Sequence, residues 1–123
     1  YLGDRNGNTL RETLSCGMTN SSAIVQVVTW NDFGEGTMIE PTKEYGYRDL
    51  GIIQDYRRQF LERDFPRSTN DLALAFQFYQ LRRELSTNST ASSELDQIFT
   101  NIVAGQLKLA HQQLNQLAKQ TSP

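Results

Sequence analysis

The run Ala23-Ile24-Val25-Gln26-Val27-Val28-Thr29-Trp30, feeding directly into Asn31-Asp32-Phe33-Gly34-Glu35-Gly36, constrains this chain more than any other feature. Ile24, Val25, Val27, Val28 and Thr29 are all β-branched, and their crowded Cβ atoms favour an extended backbone. Apart from Gln26 the run is apolar through Val28, a pattern that suits a strand covered on both faces, as in a parallel sheet. Residues 31–46 then hold Gly34, Gly36, Gly46 and Pro41 among polar side chains, too many breakers for a regular element. A buried strand followed by a long loop is therefore expected.

The flanking segments read as helices. Asn6-Gly7-Asn8 marks a turn, Asn8 or Thr9 offers a cap, and a short helix through Thr9-Leu10-Arg11-Glu12-Thr13-Leu14 would stop at Gly17. After the loop, Leu50, Ile53, Tyr56, Phe60 and Leu61 fall near helical spacing, and the stretch 47–62 halts before Phe65-Pro66. Beyond Pro66 the composition shifts. Asn70 or Asp71 caps a helix carrying Leu72, Ala75, Phe76, Tyr79, Leu81 and Leu85, and residues 86–90 form a polar linker. Ser92 or Ser93 opens another helix, Gly105 is a plausible left-handed stop, and Leu107, Leu109, Ala110, Leu114 and Leu117 form a further apolar stripe. The last two segments read as an αα-hairpin, reminiscent of tetratricopeptide units without their wider signature, or as one continuous bent helix.

Charge and cysteine usage narrow the functional classes. Lys and Arg number 12 against 14 for Asp and Glu, with no basic stretch to track phosphates, so nucleic acid is not an expected partner. The longest apolar run, residues 23–28, is far short of the roughly 20 residues that a membrane span requires. Cys16 is the only cysteine, so no intramolecular disulfide is available, and it is expected to pack as a small apolar group. His111 is the only histidine and sits in a Leu-rich amphipathic stretch, which disfavours Cys-His or Ser-His-Asp chemistry. Neither a metal nor another cofactor is suggested by any ligand cluster. The chain opens at Tyr1 without Met or a signal-like segment, so we expect the natural N-terminus to lie upstream.

The loop carries the candidate chemistry. Asp32 and Glu35 stand three residues apart just after the expected strand, with Glu40 five further on, and catalytic groups gather at such strand ends in parallel α/β folds. Glycosidic cleavage commonly uses two carboxyls, one protonated to assist the leaving oxygen and one ionised as base or nucleophile. Gly34 and Gly36 allow a sharp turn that can bring both acids to one cleft. Trp30, Phe33, Tyr45 and Tyr47 offer apolar faces for a sugar ring, and Asn31 can bond a hydroxyl or orient a carboxylate. Taken alone, an Asp beside a glycine is more often a turn or cap residue, aromatics near a strand end are usually core, and Glu40 before Pro41 can simply be solvated.

The string Thr29-Trp30-Asn31-Asp32-Phe33-Gly34-Glu35 resembles the catalytic segment of glycoside hydrolase family 71, the α-1,3-glucanases, with its Trp-Asn-Asp-Tyr-Gly-Glu pattern. The continuation Glu35-Gly36-Thr37-Met38-Ile39-Glu40-Pro41 is closer to family 99, the endo-acting α-mannosidases, although Asp32 stands where the mannosidase pattern has its first Glu. The likeness spans about residues 10–53 and is strongest over 27–41. It implies Asp32 and Glu35 as the catalytic pair, with Glu35 as general acid and Asp32 as partner base, in a retaining or an inverting mechanism. Trp30, Asn31, Phe33, Glu40 and Tyr45 would bind the carbohydrate substrate.

The same resemblance implies a fold. A complete (β/α)8 barrel needs roughly 250 residues, so the 123 residues would be an α-rich α/β fragment. Residues 1–66 would hold the last strand of the barrel with its flanking helices, and 67–123 a helical tail with the αα-hairpin. A secreted or periplasmic setting would follow from the resemblance. The fragment alone is expected to be inactive, because the other subsites that position a sugar are missing. An isolated apolar strand also exposes an edge, so self-association is expected. A non-catalytic helical interaction or glycan-binding module is the competing reading.

Overall fold

The structure is a computed structural model that describes residues 3–121; Tyr1, Leu2, Ser122 and Pro123 lie outside them. Five α-helices follow one another: α1 (Asn8–Thr19), α2 (Arg48–Phe60), α3 (Leu74–Glu84), α4 (Ser89–Val103) and α5 (Leu107–Thr121). A 3-10 turn at Thr69–Ala73 leads into α3. Among the described residues there is no β-strand, and the only β-type contact is an isolated antiparallel bridge between Thr42 and Gly46.

The expected α-rich α/β fragment, the C-terminal end of a (β/α)8 TIM barrel, is thereby corrected to an all-helical chain. The reason is visible at residues 23–30. β-branched side chains bias the backbone, but a strand exists only when a neighbour completes its ladder. No backbone hydrogen bond reaches residues 22–28 from any described residue, and Ile24 remains 85% exposed and Val28 59% exposed. The covered, two-faced strand that the apolar run suggested has no covering layers.

Two compact units divide the chain, Tyr1–Leu72 and Ala73–Pro123. In the first, α1 and α2 pack together around Leu14 and Ile52, the two buried apolar side chains among its described residues. Gly7 precedes α1 with φ +80, and a Cβ there would lie 2.8 Å from Ile52 Cδ1, so only glycine satisfies both the backbone turn and the close approach. The Tyr56 hydroxyl adds a tie, donating to the Arg11 carbonyl at 2.8 Å. Helix α1 does not stop at Gly17 as its glycine suggested; it runs on to Thr19. Gly17 serves packing instead, since a Cβ there would meet Val25 Cγ2 at 3.2 Å. Cys16, expected in a core, is exposed on this helix.

The second unit is a three-helix assembly. Leu74 and Leu81 from α3, Ala91, Leu95 and Ile98 from α4, and Ala110, Leu114 and Leu117 from α5 form one continuous buried cluster. Burying a single leucine in this way contributes about 1.5–3 kcal/mol. Helix α4 begins at Ser89, earlier than Ser92 or Ser93, because Asn88 caps it: the Asn88 Oδ1 accepts from the Ala91 amide at 3.1 Å. At the other end Gly105 takes φ +76, its amide donates to the Ile102 carbonyl at 3.0 Å, and the Gln106 amide donates to Asn101 at 2.8 Å. That left-handed stop separates α4 from α5, so the segment is two helices and not one bent one. The buried Asn101 donates across the hairpin to Gln113 Oε1 at 2.7 Å, which satisfies a polar group the core would otherwise strand.

Candidate functional site

The loop that follows residues 23–28 is closed by its own backbone. The Thr29 amide donates to the Thr37 carbonyl at 3.0 Å, and the Ile39 and Glu40 amides both donate to the Trp30 carbonyl, at 2.9 and 2.8 Å. The hydroxyls of Thr29 and Thr37 meet at 3.0 Å across the neck. Gly36 sits at φ +70, a conformation that a side chain resists, and there the chain reverses. Local sequence explains this geometry: paired threonines flank the neck and glycine occupies the reversal.

Asp32 and Glu35 share this turn but face different surroundings. The Asp32 Oδ1 accepts from the Glu35 amide at 3.0 Å, and the Thr37 amide donates to the Asp32 carbonyl at 3.2 Å. The Asp32 carboxylate thus braces the turn, the role that its neighbouring glycine suggests on composition alone. Glu35 is exposed, and it lines a cleft of about 480 Å³ within the first unit, together with Gly36, Thr37, Met38, Ile39 and Tyr45. Asp32 does not line that cleft.

The other expected binding residues distribute as follows. Tyr45 reaches the cleft wall, whereas Trp30, Asn31, Phe33 and Glu40 do not line it. Trp30 and Phe33 are not core residues, since each keeps more than half of its surface in solvent. Asn31 is exposed and its carbonyl accepts from the Phe33 amide at 3.0 Å. Glu40 is half-buried at the loop neck.

The cleft is also lined by a charged cluster, Asp4, Arg48 and Asp49, that sequence reasoning missed. Arg48 forks onto Asp4, with Nη2 to Oδ1 at 2.8 Å and Nη1 to Oδ2 at 3.0 Å, and its Nε reaches Asp49 Oδ1 at 2.8 Å. The guanidinium also lies over the Tyr45 ring, 4.4 Å from its centre. The hydrogen bond to Asp49 raises the pKa of Arg48 above its ordinary value, against a smaller opposing effect of burial, and the bond to Asp4 acts in the same upward direction. Glu44 raises that of Tyr45, mainly through its negative charge. Asp4 and Arg48 are 44 residues apart, and no local pattern announces such a pairing. Asp49 in the first turn of α2 was the nearest sequence signal, an acid placed to complement the helix dipole.

Among the described residues no group of three or more His, Cys, Asp or Glu is arranged to hold a metal ion. No described helix is long and apolar enough to cross a membrane. Comparison of the chain with family models, with curated proteins and with solved structures finds no match.

Proposed function

We infer that residues 29–41 are the acid-bearing loop of a glycoside hydrolase of the 71/99-like group, acting on α-linked polysaccharide or glycan. The observation that carries this reading is the placement of Glu35, an exposed carboxylate on a glycine-hinged turn that opens onto a cleft with an aromatic wall at Tyr45. The ordered string from Thr29 to Pro41 supports it from the sequence side. Glu35 is assigned as general acid. Asp32 is the partner base, with Oδ1 engaged by the Glu35 amide and the second carboxylate oxygen left to take a proton. Trp30 and Phe33, both open to solvent beside this turn, supply stacking faces for sugar rings.

Glycosidic cleavage needs both carboxyls directed at one bond. In this chain Asp32 braces the loop while Glu35 alone faces the cleft, so the 123 residues by themselves are assigned no hydrolytic activity. The test is hydrolysis of α-1,3-glucan and α-mannan by the full-length gene product, with Asp32→Asn and Glu35→Gln beside it. Each substitution is expected to lower kcat roughly 10²- to 10⁴-fold, the usual contribution of a positioned acid or base. Unchanged hydrolysis in both variants would remove the assignment.

A second reading is a non-catalytic interaction or glycan-binding module. It is favoured by the second unit, where Phe76, Tyr79 and Phe99 stand about half exposed around a complete apolar core. Glycan binding without cleavage by the full-length gene product selects this reading over the first. Self-association of the chain accompanies either one, supported by the apolar side chains that residues 24–28 leave in solvent.

A further inference from the structure

Residues 22–28 present an unusual combination of backbone and side-chain properties. Their amides and carbonyls take no hydrogen bond from any described residue. Their side chains are largely in solvent: Ile24, Val28 and Val27 stand 85%, 59% and 41% exposed with exposed Gln26 among them, and only Val25 is half-buried, beside Gly17 of α1. No Asp, Glu, Lys or Arg occurs from Asn20 to Asn31, so the charges that usually protect an open edge are missing. Unpaired peptide groups are recognised best by another extended backbone.

We propose that residues 23–29 pair antiparallel with the same residues of a second copy of this chain, about a two-fold axis at Gln26. This deepens the self-association stated above by naming its surface, and it does not rest on the glycosidase reading. The segment is nearly palindromic. With Gln26 opposite Gln26, Ile24 falls opposite Val28 and Val25 opposite Val27, so each apolar side chain meets another and each half repeats the other's contacts. A neutral edge meets its own copy without like-charge repulsion, which commits the site to a second copy over a charged partner. Seven residues a side is well below the roughly 20–30 of a standard stable interface, so the dimer is weak and forms with rising concentration.

Sedimentation velocity on the chain over a wide concentration range tests this, with Gln26→Lys and Val103→Lys as variants. Gln26 and Val103 are both exposed, so neither change disturbs a core, and circular dichroism verifies that the helices persist. The wild type is expected to move from monomer to dimer, with alternate amides within residues 24–28 gaining hydrogen-exchange protection in step. Gln26→Lys sets two ammonium groups against each other and should weaken the dimer roughly tenfold or more. Val103→Lys, in the other unit, should leave it unchanged. A dimer that Gln26→Lys leaves intact, or that Val103→Lys disrupts, overturns this surface while self-association stands. Protection of residues 24–28 already in the monomer likewise overturns this surface, and a chain monomeric at every concentration overturns both.

Discussion

Residues 73–123 enclose leucines, an isoleucine and alanines from three helices in a single cluster, whereas the described part of residues 1–72 encloses only Leu14 and Ile52 among its apolar side chains. The contrast separates two ways of holding a small unit together. The second unit relies on apolar area, which is non-directional and grows with each side chain added. The first relies on a few directed contacts: the Gly7–Ile52 approach, the Arg48 fork on Asp4, and the Tyr56 bond to Arg11. Directed contacts at a partly exposed surface contribute little each, about 0.2–1 kcal/mol for an ion pair. The unit that carries the acidic loop is thus the one with less cohesion of its own, and it is also the one with unpaired backbone.

The largest expected effect lies in the second unit. Leu95→Ala removes a side chain that is 1% exposed at the centre of the cluster, and should cost about 2–5 kcal/mol. Thermal melting would show the loss, and segment-resolved hydrogen exchange should place it in α3, α4 and α5. If α1 and α2 lose protection equally, the two units do not hold together independently. Next comes Gly7→Ala, which puts a Cβ against Ile52 and forces an L residue into the left-handed region, itself worth about 1–2 kcal/mol. Exchange should accelerate across α1 and α2 only. Unchanged protection there would mean that the first unit does not depend on that close approach. The smallest effect is that of Asn88→Ala, which deletes the cap of α4 at about 1 kcal/mol, while Asn88→Asp keeps an acceptor and most of the stability. A drop of the same size for both variants would show that the Asn88 acceptor is not what holds the helix start.

Helical periodicity was legible wherever the apolar stripe was strong. Tyr56 and Phe60 mark one face of α2, and Leu114 and Leu117 mark the buried face of α5, because residues three or four apart share a face. Gly105 was legible as a stop for the same local reason, since few other residues accept its φ. Gly17 was misread. The same lack of a side chain that ends one helix makes room for Val25 beside another, and nothing local tells the two uses apart. Cys16 was misread because composition cannot say which face of α1 is covered.

At the candidate site, the turn around Gly34 and Gly36 and the bracing role open to Asp32 follow from residue type. The cleft does not. Its charged lining joins Asp4 to Arg48, 44 residues apart, from the segment before α1 and the start of α2.

Residue type and spacing settle the local features: helical stripes, the left-handed glycine between α4 and α5, and an acidic, glycine-hinged turn after a β-branched run. Whether that run became a strand, which of the two acids met a cleft, and which unit acquired the larger core followed from long-range packing. Local preferences act within a few residues along the chain, through sterics and short hydrogen bonds. A ladder, a cleft and a core each need partners that are distant in sequence, and residues 23–28 have the preference of a strand without the neighbour that completes one.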